Sequence, residues 1–395
     1  MRIALLYDCL YPHTIGGAER WHRNVAERLA AHHEVVYITR RQWGAEGPGT
    51  QFPTLAVSEG GDLYTQGGRR SIGPTLRFGW GVFRHLLRNA DRYDVIHTAS
   101  FPYFSVIAAA AALRLRRSPA PLVVDWHELW SREYWLEYLG PVAGRIGMAV
   151  QTLCVRLAGP SFTFSRLIEE RLREHGFEGS IVRLSGEYAG PDHADRADPE
   201  QPPPRPLAVF AGRHIREKRV TAIPAAIAAA RREIPDLRCL ILGEGPETAA
   251  LRAAVSAHGL EGTVEVRGRV SGREVAGALE SASCLVQPSA REGYGLVVVE
   301  ACVRGTPAVV VAGPDNASAE LVEPGENGFV VGSAEPQVLA EGIVACVNGG
   351  QQLRSSTLAW YAGNRWRLSL ESSLEAIEAL YAELAGASPR SPDPE

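Results

Sequence analysis

Lysine is almost missing from this 395-residue chain. Of its 41 basic residues 40 are arginine, and Lys218 is the exception. A single lysine in such a composition draws attention to its position. A compact charge on a flexible stem reaches one phosphate oxygen in a way that a planar guanidinium does not. Long apolar runs are missing too. No stretch of about 18 apolar residues is present, which excludes a spanning helix. Met1-Arg2-Ile3-Ala4-Leu5-Leu6-Tyr7-Asp8 reads as a strand rather than a leader. Val106 to Leu115 is apolar and alanine-rich, but Arg114, Arg116 and Arg117 close it, as expected of a buried helix. The six cysteines (9, 154, 239, 284, 302, 346) are scattered and contain no CxxC, so reduced core thiols in a cytoplasmic protein are expected, not disulfides or zinc. A DxD pair and a metal-ligand cluster are also missing, and metal-independent chemistry with no cofactor is expected. No complete GxGxxG follows a strand with an acidic residue about 20 positions on, which argues against a nicotinamide-dependent oxidoreductase.

Charge is unevenly spread. Residues 1–190 carry 22 arginines and 18 acidic residues, net +4; residues 191–395 carry 19 basic and 27 acidic, net −8. This basic N-terminal half suits an anionic acceptor or a membrane surface and is far too weak for nucleic acid. The length suits two domains. Pro191 to Pro206 (PDHADRADPEQPPPRP) has the composition of a linker. The expected division is an N-terminal Rossmann-like domain over 1–190, a linker over 191–206 and a second such domain over 207–365. A C-terminal helix at 366–385 returns to the first domain, and a disordered tail follows at 386–395.

The chain is organised around Ser289-Ala290-Arg291-Glu292-Gly293-Tyr294-Gly295-Leu296-Val297-Val298-Val299-Glu300. Ser283 to Pro288 before it reads as a buried strand, and the run from Leu296 as a helix. Glu292 therefore falls on the loop, the amides of Gly293, Tyr294, Gly295 and Leu296 at the helix start, and Glu300 about two turns in. Unpaired amides at a helix start favour an anion. Carboxylates beside an anion repel it unless they accept hydrogen bonds from something else on it, and sugar hydroxyls are suitable donors. The stretch reads as a nucleotide-sugar site.

Other residues gather around the same chemistry. Gly16 and Gly17 lie between a strand and a helix, where backbone approaches a diphosphate closely, though Gly-Gly is also a common turn. The strand Leu122 to Glu128 delivers His127 at its carboxyl end, where ligands of parallel sheets bind. Asp125 and Glu128 flank it and are candidates to orient the ring, and His97 is the runner-up. A lone histidine is otherwise a satisfied structural residue. Trp130 to Tyr138 (WSREYWLEY) reads either as a sugar-stacking surface for an acceptor or as core packing. Leu76 to Asn89 is an amphipathic helix with exposed Arg77, Arg84 and Arg88, either a solvated face or a membrane-docking one. Arg213 and Lys218 follow the first strand of the second domain, placed either as surface charges or to neutralise a diphosphate. Gly243-Glu244-Gly245 resembles half of a dinucleotide motif and lacks its third glycine.

The series EGYGLVVVE, Ala301-Cys302 and Gly305-Thr306-Pro307, with Gly-Arg…Glu-Lys at 212–218 and Gly-Gly-x-Glu at 16–19, resembles the retaining glycosyltransferases of family 4 over nearly the whole chain. The resemblance implies the GT-B fold, two Rossmann-like α/β domains with parallel sheets facing each other across a cleft. It also implies transfer of a sugar from a UDP-, GDP- or dTDP-sugar, with retention, to a glycan, lipid-linked or small-metabolite hydroxyl. Glu292 would contact the transferred sugar and Glu300 the ribose. Arg213 and Lys218 would hold the pyrophosphate, His127 the donor sugar, Gly16 and Gly17 the phosphates, and the backbone at Gly268 and Val270 the base. Leu184-Ser185-Gly186-Glu187 departs from the Pro-Asn-Gly that usually follows the first domain's last strand. The alternatives are a nucleotide-sugar epimerase or hydrolase on the same scaffold and, more remotely, a non-catalytic sugar-nucleotide-binding protein.

Overall fold

The computed structural model describes residues 1–61, 71–190 and 205–387. The expected linker 191–206, but for its last two residues, and residues 388–395 of the expected tail lie outside the described residues. The chain divides into two compact units, Met1–Ala189 with Ser369–Glu395, and Gly190–Leu368.

The first unit alternates strand and helix: β1 (Arg2–Leu6), α1 (Gly17–Leu29), β2 (Glu34–Arg40), β3 (Thr54–Ser58), α2 (Ile72–Asn89), β4 (Val95–Ala99), α3 (Phe104–Arg116), β5 (Leu122–Trp126), α4 (Arg132–Leu157), β6 (Ser161–Thr163), α5 (Arg166–Glu174) and β7 (Ile181–Arg183). These strands form one seven-stranded parallel sheet in the order β3-β2-β1-β4-β5-β6-β7. Parallel strands are covered on both faces and read as unbroken apolar runs, and β4 and β5 are buried at every residue. The order reverses between β1 and β4, which places the switch point of the sheet at their carboxyl ends. The connection after β2 supplies the edge strand β3 before α2 begins at Ile72.

Right-handed crossovers put α2, α3 and α4 on one face of this sheet, because all three connections move across it in the same direction; α1 moves the other way. Phe78, Val82 and Leu86 of α2 join Val106 and Ala109 of α3 and Cys154 and Val155 of α4 in one buried core. Helix α4 begins at Arg132 and breaks its regular geometry at Gly140 ahead of Pro141. On α5 the Ser165 hydroxyl accepts from the Ile168 amide, as its cap position implies. The last helix, α11 (Leu370–Ala387), contacts α1 and β4. The Ser373 hydroxyl donates to the Gly186 carbonyl at 2.7 Å, tying α11 to the loop after β7.

The second unit contains β8 (Leu207–Ala211), α6 (Ile223–Ala230), β9 (Arg238–Leu242), α7 (Thr248–Ala257), β10 (Val264–Arg267), α8 (Gly272–Glu280), β11 (Cys284–Gln287), β12 (Arg291–Glu292), α9 (Leu296–Cys302), β13 (Ala308–Val311), β14 (Asp315–Asn316), β15 (Gly328–Val331) and α10 (Pro336–Leu368). Its parallel sheet runs β10-β9-β8-β11-β13-β15, with the switch point between β8 and β11. The short ladder β12-β14 stands beyond the carboxyl ends of β11 and β13. Helix α9 has seven residues, so Glu300 is its fifth and lies one turn in rather than two.

Candidate active site

At the switch point of the second unit, two loops are stitched together. After β8 the chain makes a 3₁₀ turn at Arg216–Lys218, closed by Arg219 in the left-handed region at φ 47°. A side chain held there stores roughly 1–3 kcal/mol of strain, which persists where surrounding structure over-determines it. The constraint is visible: the Ala290 amide donates to the Glu217 carbonyl at 2.7 Å, joining this turn to the loop after β11. Lys218 thereby meets Glu292 in an ion pair. Gln287, the last residue of β11, donates to the same Glu292 Oε1 at 2.5 Å, and the Ser289 hydroxyl at 2.9 Å. Three donors thus converge on Oε1 and fix the rotamer. Among the described residues Oε2 is left without a protein donor, able to accept from a hydroxyl.

The loop itself is held by glycine geometry and one buried amide. Gly295 caps α9 at φ 104°, and a Cβ there would lie 2.4 Å from Ser318 Cβ. Asn316 is buried; its Nδ2 donates to the Ser289 and Val311 carbonyls at 3.1 and 2.7 Å, and its Oδ1 accepts from the Ser318 amide and hydroxyl at 3.1 and 2.6 Å. Tyr294 is buried, whereas Gly293 and Leu296 are half-buried. Glu300 is half-buried on α9, where the Arg304 guanidinium donates to its carbonyl at 2.6 Å. Arg213 is exposed two residues beyond β8.

Gly243 and Gly245 act as spacers. A Cβ on Gly243 would sit 1.9 Å from the Gly212 carbonyl oxygen, and one on Gly245 2.4 Å from that of His214. The loops after β8, β9 and β10 interlock through these contacts and through the Gly243 amide, which donates to the Gly268 carbonyl at 3.1 Å. Gly268 is exposed, and Val270 lies in the loop beyond β10, which ends at Arg267. His214, which no sequence signal singled out, is buried and bonds Thr248 Oγ1 through Nδ1 at 2.9 Å.

In the first unit, His127 follows β5 and stacks on Phe164 with ring centroids 3.9 Å apart. Neither flanking carboxylate orients it by hydrogen bonding. Glu128 accepts instead from Trp130 Nε1 at 2.8 Å. Asp125 accepts from His97 Nε2 at 2.6 Å and from Trp21 Nε1 at 3.0 Å, with His22 Nε2 at 3.5 Å. Tyr381 of α11 closes this network at His97 Nδ1, 2.5 Å away. The carboxylate nearest to His127 is Glu187, with Oε1 3.8 Å from Nε2, and it comes from the segment that departs from Pro-Asn-Gly. Burial, with His22 close by, lowers the His127 pKa to about 3, so the ring is neutral at pH 7. Burial likewise lowers His22 to about 4 against the pull of Asp125. For Asp125 burial acts upward, but the charge and hydrogen bond of His97 prevail and lower it to about 2. Gly16, extended at φ −178°, is the N-cap of α1, and Gly17 is its first residue.

In the aromatic segment 130–138 the tryptophans pack into the core, while Tyr134 and Tyr138 are half-buried. Trp130 and Trp135 are buried, and the Trp130 amide, Trp135 Nε1 and the Tyr103 hydroxyl all donate to Gln151 Oε1 at 3.0, 3.0 and 2.7 Å. Gln151 and Tyr381 lie far along the chain from the groups they bind, and local sequence carries no sign of either contact. All six cysteines are buried and free. Among the described residues no group of three or more His, Cys, Asp or Glu could hold a metal ion.

Two parallel α/β units with a Lys-Glu constellation at the switch point of the second define a GT-B type of protein. Comparison with known proteins agrees. The family model for a glycosyl transferase 4-like domain matches residues 16–186, and that for glycosyl transferases group 1 matches residues 192–356. The first unit therefore carries a glycosyl transferase 4-like domain and the second a glycosyl transferases group 1 domain. It is similar to the glycogen synthase of Mycobacterium tuberculosis, 27% identical over 78% of this chain and 77% of that protein. Sucrose-phosphate synthase from Thermosynechococcus elongatus has the same fold, with a TM-score of 0.78, 21% identity and coverage of 98% of this chain and 100% of that one. Anabaena HepE in complex with UDP-glucose gives a TM-score of 0.73 at 19% identity, covering 97% and 100%. The chain spans between 18% and 32% of the length of the first four curated relatives it matches.

Proposed function

We propose that the chain transfers a sugar from a nucleotide diphosphate sugar to an acceptor hydroxyl with retention at the anomeric carbon, without a metal. The observation that carries the reading is the convergence of Lys218, Gln287 and Ser289 on one oxygen of Glu292, which leaves the other oxygen for sugar hydroxyls. Lys218 turns from Glu292 Oε1 toward a donor phosphate oxygen, and Arg213 adds a second positive charge as the nucleoside diphosphate leaves. Glu300 holds the ribose, and the backbone at Gly268 and Val270 faces the base. The amides of Gly293, Tyr294, Gly295 and Leu296, together with Gly16 and Gly17, complete the donor set. His127, neutral, hydrogen-bonds the transferred sugar as it distorts.

The acceptor oxygen bonds to the anomeric carbon on the face from which the nucleotide departs. The carbon–phosphate-oxygen bond breaks with both electrons going to the leaving oxygen, which takes the acceptor's proton. Support for a UDP-sugar comes from the fold shared with HepE in complex with UDP-glucose, and GDP- and dTDP-sugars belong to the same chemistry. The acceptor is a glycan, lipid-linked or small-metabolite hydroxyl. The test is product analysis after incubation with UDP-, GDP- and dTDP-sugars and an acceptor panel. A new glycoside with retained configuration supports transfer, whereas free sugar or an epimer alone would show a hydrolase or epimerase. Binding without turnover of any donor would show a non-catalytic sugar-nucleotide-binding protein.

A further inference from the structure

Helix α2 turns a mixed apolar and basic face outward. Ile72, Leu76 and Trp80, spaced four residues apart on one stripe, are 59%, 48% and 61% exposed. Arg77, Arg84 and Arg88 are exposed along the same helix. Large apolar groups on a soluble surface ordinarily occur singly, and a contiguous stripe marks an interaction face. Helix α4 repeats the pattern after its bend, with Val142 and Ile146 exposed around Arg145. Because α2, α3 and α4 cover the same face of the sheet, these stripes belong to one side of the unit.

Charge is segregated to match. Helices α2 and α3 and the part of α4 after its bend (residues 72–89, 104–116 and 141–157) hold seven arginines and no acidic residue; Glu133 and Glu137 lie on α4 before the bend, and Arg116 pairs with Asp91. Helix α11, which packs with α1, carries four glutamates and no basic residue. A helix with outward Trp and Leu, flanking arginines and no carboxylate matches the interfacial kind, which lies in the plane of a bilayer and is drawn to anionic headgroups. No described helix is long and apolar enough to cross a membrane. A second copy of the chain is the poorer occupant, because a self-complementary contact would set this arginine-rich face against itself.

We propose that the α2 face, extended by α4, docks the chain peripherally on an anionic lipid surface. The test is flotation of the full chain with vesicles of phosphatidylglycerol and phosphatidylcholine, compared with phosphatidylcholine alone. The chain floats with the anionic vesicles and is released as salt rises. Replacing Arg77, Arg84 and Arg88 together by glutamine lowers the partition coefficient about a hundredfold. Trp80→Ser or Leu76→Gln lowers partition at every salt concentration, with far-UV circular dichroism unchanged. Failure to float with anionic vesicles at low salt, or equal flotation of all variants, overturns the proposal. So does sedimentation showing a dimer that Trp80→Ser dissociates, which would make the face a contact between copies.

Discussion

Lys218 and Glu292, 74 residues apart in sequence, form an ion pair inside the second unit, with Gln287 and Ser289 donating to the same carboxylate oxygen. The pair sets the chain's lone lysine beside the first glutamate of its most informative stretch. Because Glu292 holds the ammonium in place before a donor arrives, Lys218→Ala is expected to lower kcat by roughly 10²–10³, as for the loss of one group stabilising transition-state charge. Lys218→Arg is expected to restore little of it, since a planar fork does not reproduce a compact ammonium that swings from Glu292 Oε1 to a single proposed phosphate oxygen. Steady-state kinetics of the two variants checks this.

His127 and the Lys218–Glu292 pair belong to different units, and their variants separate accordingly. His127→Ala is expected to lower transfer by about 10²-fold, while calorimetry with a nucleoside diphosphate gives an unchanged affinity. An equal loss in both measurements would assign His127 a structural role.

The buried histidines make the first unit acid-sensitive. His22 and His127 have folded pKa values of about 4 and about 3, below the ordinary value of 6.5. The unfolded chain therefore binds more protons across that interval, and the contribution to stability is full above pH 6.5 and is lost as pH falls toward 4. Between pH 6.5 and 5 one such histidine accounts for about 2 kcal/mol. Denaturant unfolding at a series of pH values is expected to show a plateau above 6.5 and a decline below it.

Gly295→Ala is expected to destabilise the second unit by about 2–3 kcal/mol, because the backbone is left-handed at φ 104° and the new methyl group would meet Ser318. Gln151→Leu removes the acceptor of three donors in the first unit and is expected to cost about 3 kcal/mol or more. Urea midpoints of both variants test these values.

The fold was legible because parallel strands advertise themselves as apolar runs, and Leu122–Trp126 and Cys284–Gln287 stand out between breakers. The glycines around Glu292 were legible for the same local reason. Groups joined only by folding were not. Asp125 looked like a partner for His127, yet its bonds run to His97 and Trp21, on β4 and α1. The aromatic run at 130–138 read equally as a sugar-stacking surface or as core packing, since nothing nearby reveals that Gln151 gathers donors from Trp130 and Trp135. Gly243 and Gly245 resembled half of a dinucleotide motif and serve instead to let the loops after β8 and β9 touch.

The most direct test of the account measures transfer from the preferred nucleotide sugar by Glu292→Ala and Lys218→Ala beside the unaltered chain. Both variants are expected to lose at least about a hundredfold in kcat/KM while remaining folded. Unchanged transfer by both, from every nucleotide sugar tested, would contradict it.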